Sequence, residues 1–240
     1  MPTGGARAAP PTSTRMKKFI LAILLAASQA QAAVQAPALD LRIHYYSKAV
    51  TPEGVTREVR YEETMLRRPG HVWVARVLPP QAQAAGQASD HEHSVHKHFN
   101  PVLLPRHVQL DGDKTRLEYV DARSKEVIAV PPGEYGNVDF DGSWVNAYYL
   151  CDPKAVQAMP LSPRPSAVPG ARWRELVRNG SFRRVLWDER RQVPLVIESG
   201  DQAATIFHRI EVQAQPAAAT ALPWQQLKGY AQRDYGDFLD

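Results

Sequence analysis

Between Phe182 and Val212 the chain reads FRRVLWDERRQVPLVIESGDQAATIFHRIEV, three apolar-rich runs separated by two turn signals. In the last run Ile206, His208, Ile210 and Val212 alternate with Phe207, Arg209 and Glu211, the period of two that a half-buried strand requires. In the first run Phe182, Arg184 and Leu186 stand opposite Arg183, Val185 and Trp187, so both faces carry apolar weight. The turns, Asp188-Glu189-Arg190-Arg191 and Ser199-Gly200-Asp201, are short, which makes consecutive strands antiparallel neighbours. A three-stranded meander with one face on a core follows, and the rest of the chain has to supply that core.

Alternation continues upstream. Leu39 to Val50 sets Leu39, Leu41, Ile43 and Tyr45 against Asp40, Arg42, His44 and Tyr46. After Thr51-Pro52-Glu53-Gly54, Val55 to Arg67 reads as a long second strand, broken by Arg68-Pro69-Gly70, and His71 to Leu78 as a third. His107–Leu110 and Lys114–Val120 flank Asp111-Gly112 and predict a hairpin. Lys125 to Val130 is a further strand, stopped by Pro131-Pro132-Gly133. Tyr135 to Ser143 is rich in turn residues, and Trp144 to Leu150 fits either strand or helix. Asp152-Pro153 opens a short helix through Met159, with Asp152 as its cap. Leu161 to Gly170 is a proline-rich crossing. Pro223 opens a last helix, in which Trp224, Leu227, Ala231, Tyr235 and Phe238 recur at steps of three or four. The fold class expected is mainly β (α+β): a curved antiparallel sheet or unclosed half-barrel, its concave face partly plugged, with a few covering helices.

The chain opens with a segment that reads as removable. Met16-Lys17-Lys18 is a positive region, Phe19 to Ala27 is apolar but short for a bilayer, and Ala30-Gln31-Ala32 is a cleavage pattern before Ala33. Residues 1–32 are therefore expected to be an N-terminal extension and secretory signal peptide, with Met1 or Met16 as the start. Residues 33–240 then form a single mature domain, destined for the periplasm and without a transmembrane segment. A flexible loop is expected at 79–90, where the sequence PPQAQAAGQASD lacks apolar periodicity. Of 29 Lys and Arg, the first 32 residues hold Arg7, Arg15, Lys17 and Lys18 and no acid, so the remainder balances 25 basic against 25 acidic groups. Nucleic acid loses its electrostatic footprint as a partner. Cys151 is the one cysteine, so no internal disulfide supports the fold; it reads as a small buried hydrophobe, with a reactive thiol as the alternative.

Few residues carry legible chemistry. Four of eight histidines, His91, His93, His96 and His98, fall within eight residues. Imidazoles at i and i+2 share a strand face and suit Zn, Cu or Ni, although the spacing is not that of a structural zinc site; an exposed edge and a pH-responsive patch are the alternatives. Asn137-Val138-Asp139-Phe140-Asp141-Gly142 imitates the start of a calcium loop, but Tyr148 stands where the twelfth-position carboxylate belongs, and calcium is not expected. Ser143 lacks the glycine context of a nucleophile elbow. No phosphate-binding glycine loop occurs. A non-enzymatic protein is expected, with no required cofactor. Trp73, Trp144, Trp173, Trp187 and Trp224 either fill the core or line a groove.

The segments Trp187-Asp188-Glu189, Val193-Pro194-Leu195-Val196-Ile197-Glu198 and Ile206-Phe207-His208-Arg209-Ile210, together with the opening strands, resemble the LolA/LolB lipoprotein-carrier and RseB-type sensor group. The resemblance implies an unclosed, strongly curved antiparallel sheet wrapped around helices. It also implies that acyl chains or lipoprotein segments are held on the apolar concave face; a partner peptide held there, and another periplasmic protein as partner, are expected beside them. The alternative from the residues is a periplasmic transition-metal-binding protein using His91–His98.

Overall fold

The computed structural model describes residues 36–79 and 99–239. Eleven strands, β1 (Leu39–Val50), β2 (Thr56–Arg68), β3 (His71–Arg76), β4 (Arg106–Asp111), β5 (Lys114–Asp121), β6 (Glu126–Val130), β7 (Ala171–Arg178), β8 (Ser181–Asp188), β9 (Val193–Asp201), β10 (Ile206–Pro216) and β11 (Ala231–Asp234), form one sheet. Their spatial order is β11-β6-β5-β4-β3-β2-β1-β10-β9-β8-β7. Two meanders, β1–β6 and β7–β10, are joined by the antiparallel pairing of β1 with β10, in which Ile43 faces Val212 and Tyr45 faces Ile210. Only β11 lies parallel to its neighbour, β6. No rung joins β11 to β7 among the described residues, so the curved sheet is open, in agreement with the alternation of the sequence.

The alternation in β1 sends Leu39, Leu41 and Ile43 into the core and Asp40, Arg42 and His44 to the other side. That parity runs across the sheet: Met65, Val72, Val74, Val108, Leu117, Ile128 and Val212 share the inner face. The inner face is covered by the segment after β6. Pro131-Pro132 ends the strand, and a 3-10 turn over Pro132–Val138 buries Tyr135 and Val138. The Tyr135 hydroxyl donates to the Thr115 carbonyl at 2.9 Å. Ser143 then accepts from the Asn146 amide and starts helix α1 (Trp144–Tyr149), which buries Tyr148. Helix α2 (Pro153–Ala158) is capped by Asp152, which accepts from the Lys154 amide at 2.8 Å, with Pro153 in its first turn as expected. Cys151, Val156 and Met159 pack on Val185, Trp187 and Ile197, and burial pushes the Cys151 thiol up to about 11. Cys151 is thus a buried hydrophobe with an inert thiol.

Two expectations need correction. The C-terminal helix does not form. Pro223–Gln226 is a 3-10 turn, the chain bends at Gly229, β11 pairs with β6, and Tyr235–Phe238 is a second 3-10 turn. Trp224 and Leu227 pack on the outer face against Trp73, Val120 and Val127, while Tyr235 and Phe238 join the inner core. The terminal segment therefore wraps the β6 edge. The turn expected at Ser199-Gly200-Asp201 lies later, at 202–205, where Asp201 accepts from the amides of Thr205 and Ile206. Gly200 lies within the strand, where a Cβ would stand 2.5 Å from the Ile206 carbonyl oxygen and 3.1 Å from the Phe182 ring, so the close approach requires glycine. Strand β7 carries a weak signal in the sequence: Ala171 and Trp173 are buried and alternate with Arg172 and Arg174, but Glu175 then takes the parity of the buried pair and Leu176 and Val177 are exposed. The expected loop at 79–90 lies, beyond Pro79, outside the described residues. Among those residues no helix is long and apolar enough to cross a membrane.

Arg67 is fully buried, and its partners among the described residues are backbone carbonyls and not a carboxylate. Its guanidinium donates to the carbonyls of Pro37 (3.1 Å), Arg191 (2.6 Å) and Gln192 (2.9 Å) and stands 5.2 Å from the Tyr148 ring centroid. One side chain thereby satisfies the start of β1, the β8–β9 turn and the covering helix. Arg67→Leu leaves those part-buried carbonyls without their donor and takes the guanidinium from Tyr148, a fully buried orphan costing about 1–3 kcal/mol and a partly exposed one less. Urea denaturation should show a loss of about 3 kcal/mol or more, and Arg67→Lys should recover only part of it because an ammonium cannot span the same fork.

Candidate functional site

Two chambers lie between the sheet's inner face and the covering segment. The deeper one, about 270 Å³, has a floor of Ile43, Met65, Val72, Val108 and Ile210 and is bounded on the covering side by Leu150, Asp141 and Asn146. The second, about 260 Å³, is lined by Tyr61, Arg76, Leu104, Tyr119 and Val138. Tyr45, Glu63, Val74, Arg106 and Asp139 line both. Beyond Tyr61 and Arg76 the second chamber adjoins an open mouth of about 1050 Å³.

A belt of polar residues shared by the two chambers lies between the apolar floor and the mouth, and strand register builds it. Tyr45 of β1 faces Tyr61 of β2, their rings stacked with centroids 4.4 Å apart. Two residues on, Glu63 faces Arg76 of β3. Glu63 is buried and lies 3.9 Å from Arg76 and 3.7 Å from Arg106. These distances exceed those of a charge-assisted hydrogen bond, so neither guanidinium is locked onto the carboxylate. Arg76 also lies 3.5 Å from the Tyr61 ring centroid. Burial, and after it Glu63, pushes the Tyr45 and Tyr61 hydroxyls upward, and burial does the same for Tyr119. All three stay protonated near neutral pH and can donate to a polar group in the passage. The covering segment contributes Asp139, exposed at the C-terminal end of its 3-10 turn. The calcium-like stretch therefore serves structure: Asp141 accepts from the Ser143 amide and the Asn146 side chain, shaping the entry to α1.

The expected metal ligands His91, His93, His96 and His98 lie outside the described residues. Among the described residues no group of three or more His, Cys, Asp or Glu side chains converges as a metal site. Two other histidines, 36 positions apart, meet on the outer face. His71 Nδ1 and His107 Nε2 are 3.0 Å apart, and Trp224 stacks at 5.1 and 5.2 Å from the two rings. The ring centroids are 5.2 Å apart, which sets the imidazoles end to end under the indole, sharing one hydrogen bond. Glu118 approaches His107 Nδ1 at 3.6 Å and also accepts from Gln109.

No protein-family model and no curated protein matches the chain. Among solved structures it is similar to a LolA superfamily protein from Nitrosomonas europaea, at 8% identity and a TM-score of 0.34, over 81% of this chain and 91% of that one. It is also similar to a Vibrio parahaemolyticus domain described as an outer membrane lipoprotein-sorting protein, at 10% identity and a TM-score of 0.28, over 79% and 89%. It aligns with PNGF-II at 9% identity and a TM-score of 0.36 over 84% of its own length, spanning 33% of that protein. At such scores these likenesses say nothing about ligand or partner, and the chambers stand on their own geometry.

Burial, then the neighbouring His107, pushes the His71 pKa below its ordinary 6.5, with Glu118 opposing. The folded state thus binds a proton less readily than the unfolded one. The associated stability is present above about pH 6.5 and is lost as pH falls from there through the lowered value. The thermal midpoint should fall between pH 7 and pH 5, and His71→Gln, which keeps a hydrogen-bond partner for His107, should flatten that slope.

Proposed function

We propose that this is an exported periplasmic carrier that holds an acyl chain, of a lipid or a lipoprotein, on the inner face of its open sheet. The observation that carries the reading is the deep chamber, whose floor of Ile43, Met65, Val72, Val108 and Ile210 is apolar and whose polar residues Tyr45, Glu63 and Arg106 are shared with the second chamber. The removable N-terminal segment supports an exported location. Each methylene moved from water into such a space gains about 0.8 kcal/mol, so about eight of them offer roughly 6 kcal/mol. That only meets the lower part of the ~4–15 kcal/mol cost of association. A ligand filling the deep chamber alone therefore binds weakly. A chain that continues past the belt into the second chamber gains a second apolar wall and polar contacts for its head. The belt's acidic and basic groups sit in one passage, so polar groups of the ligand meet donors and acceptors rather than bare hydrocarbon.

Ala147 of α1 is partly buried and lines the deep chamber. Ala147→Phe fills that space from the covering side. Titration with a fluorescent polyene fatty acid should show saturable binding to the wild type and binding about tenfold weaker, ~1.4 kcal/mol, in the variant. An unchanged circular dichroism spectrum controls for folding. No binding by the wild type, or equal binding by the two, contradicts the reading.

A further inference from the structure

The C-terminal segment is held to the sheet at two ends. At its start Trp224, Leu227 and Tyr230 pack on Trp73, Val120 and Val127 of the outer face. At its end Tyr235 and Phe238 reach the inner core, where both meet Phe99, Tyr235 edge-on with ring centroids 5.1 Å apart. Phe99 in turn meets Tyr119 at 5.1 Å, and Tyr119 lines the second chamber. Between these ends β11 is exposed along its whole length, so its ladder to β6 and the Arg233–Glu126 pair at 3.2 Å add little apolar hold. Letting go of the first end therefore loosens the second.

The first end rests on two histidines. The Trp224 indole lies nearly parallel to His71 and His107, at 15° and 16°. As a neutral pair the two imidazoles share one proton, one ring donating and the other accepting across 3.0 Å. One added proton keeps that bond, and Glu118 and the indole face both favour it. A second added proton sets N–H against N–H, so the rings must part and cannot both stay under one indole. The surroundings offer little to offset that second charge. Glu118 already accepts from Gln109 at 2.8 Å and lies 3.9 Å from Arg116. Opposite His71 stand Arg68 on β2, itself a cation turned to Asp40 at 2.8 Å, and the neutral Gln109 on β4. The C-terminal segment brings no carboxylate between Trp224 and Tyr230, and its Lys228 is positive.

We infer that His71 and His107 form a pH-sensitive latch for the C-terminal segment, which leaves the outer face, and slackens the Tyr235–Phe238 plug beside the second chamber, when both imidazoles are protonated. The lowered proton affinity of His71 in the folded state accords with this: the closed latch resists the second proton, whereas the opened one accepts it near the ordinary value of 6.5. The open form thus gains on the closed one as pH falls below that value. The inference does not rest on the acyl-chain reading, because the latch is built outside the chambers and is tested without a ligand.

The test is hydrogen exchange followed by mass spectrometry at pH 7 and pH 5, corrected for the intrinsic exchange rates. In the wild type, protection of residues 231–238 should fall about fivefold or more on acidification, and that of β1 less than about twofold. His71→Gln keeps a partner for His107 but cannot take up the second charge, so residues 231–238 should keep their protection at pH 5. Should that variant fail to fold, the comparison of residues 231–238 with β1 in the wild type decides. Equal loosening of both segments, unchanged protection of residues 231–238, or the same acid loss in a folded His71→Gln overturns the inference.

Discussion

The guanidinium of Arg67 is the point on which the inner face of the sheet depends. An open sheet with one buried face must end its core somewhere, and at that end backbone groups lose both their strand partners and water. Arg67 supplies donors to carbonyls at Pro37, Arg191 and Gln192, drawn from the start of one meander and a turn of the other. Its flat face meets Tyr148, so the covering helix is held by the same group. Arginine suits this task because its planar fork donates in several fixed directions and is weakly hydrated for a cation.

The two faces use ion pairs differently. On the outer face Glu198 is buried and is met by Arg209, by Arg164 at 3.0 Å and by Arg184 at 4.0 Å, in direct register across β10, β9 and β8. That carboxylate is fully engaged and stitches strands together. On the inner face Glu63 is approached by two arginines, neither closer than 3.7 Å, in a space with room for another molecule. A closed carboxylate holds a sheet together, whereas a loosely held one beside a cavity can exchange partners with a ligand.

Strict alternation makes β1, β2 and the β8–β10 meander legible in the sequence, and proline and aspartate place the start of α2. The C-terminal segment misleads because Trp224, Leu227, Tyr235 and Phe238 recur at helical spacing while serving two different faces of the sheet. Periodicity reports that side chains are buried; it does not say that they share one surface. The chambers are not legible either. Glu63 and Arg76 read as polar positions in alternating strands, and only the pairing of β2 with β3 sets them together on the inner face. His71 and His107 give no local signal, being brought together by the register of β3 and β4, whereas the dense tract at His91–His98 draws the eye toward metal.

The central claim is that a chain-like apolar ligand lies inside the sheet, past the polar belt. Isotope-filtered NMR of the protein with labelled isoleucine and methionine methyl groups, in the presence of an unlabelled fatty acid, tests it most directly. The expected result is transfer from the acyl methylenes to Ile43, Met65 and Ile210, which wall the deep chamber. Transfer confined to the exposed Ile206 at the far end of β10, or none to any methyl group, would contradict it.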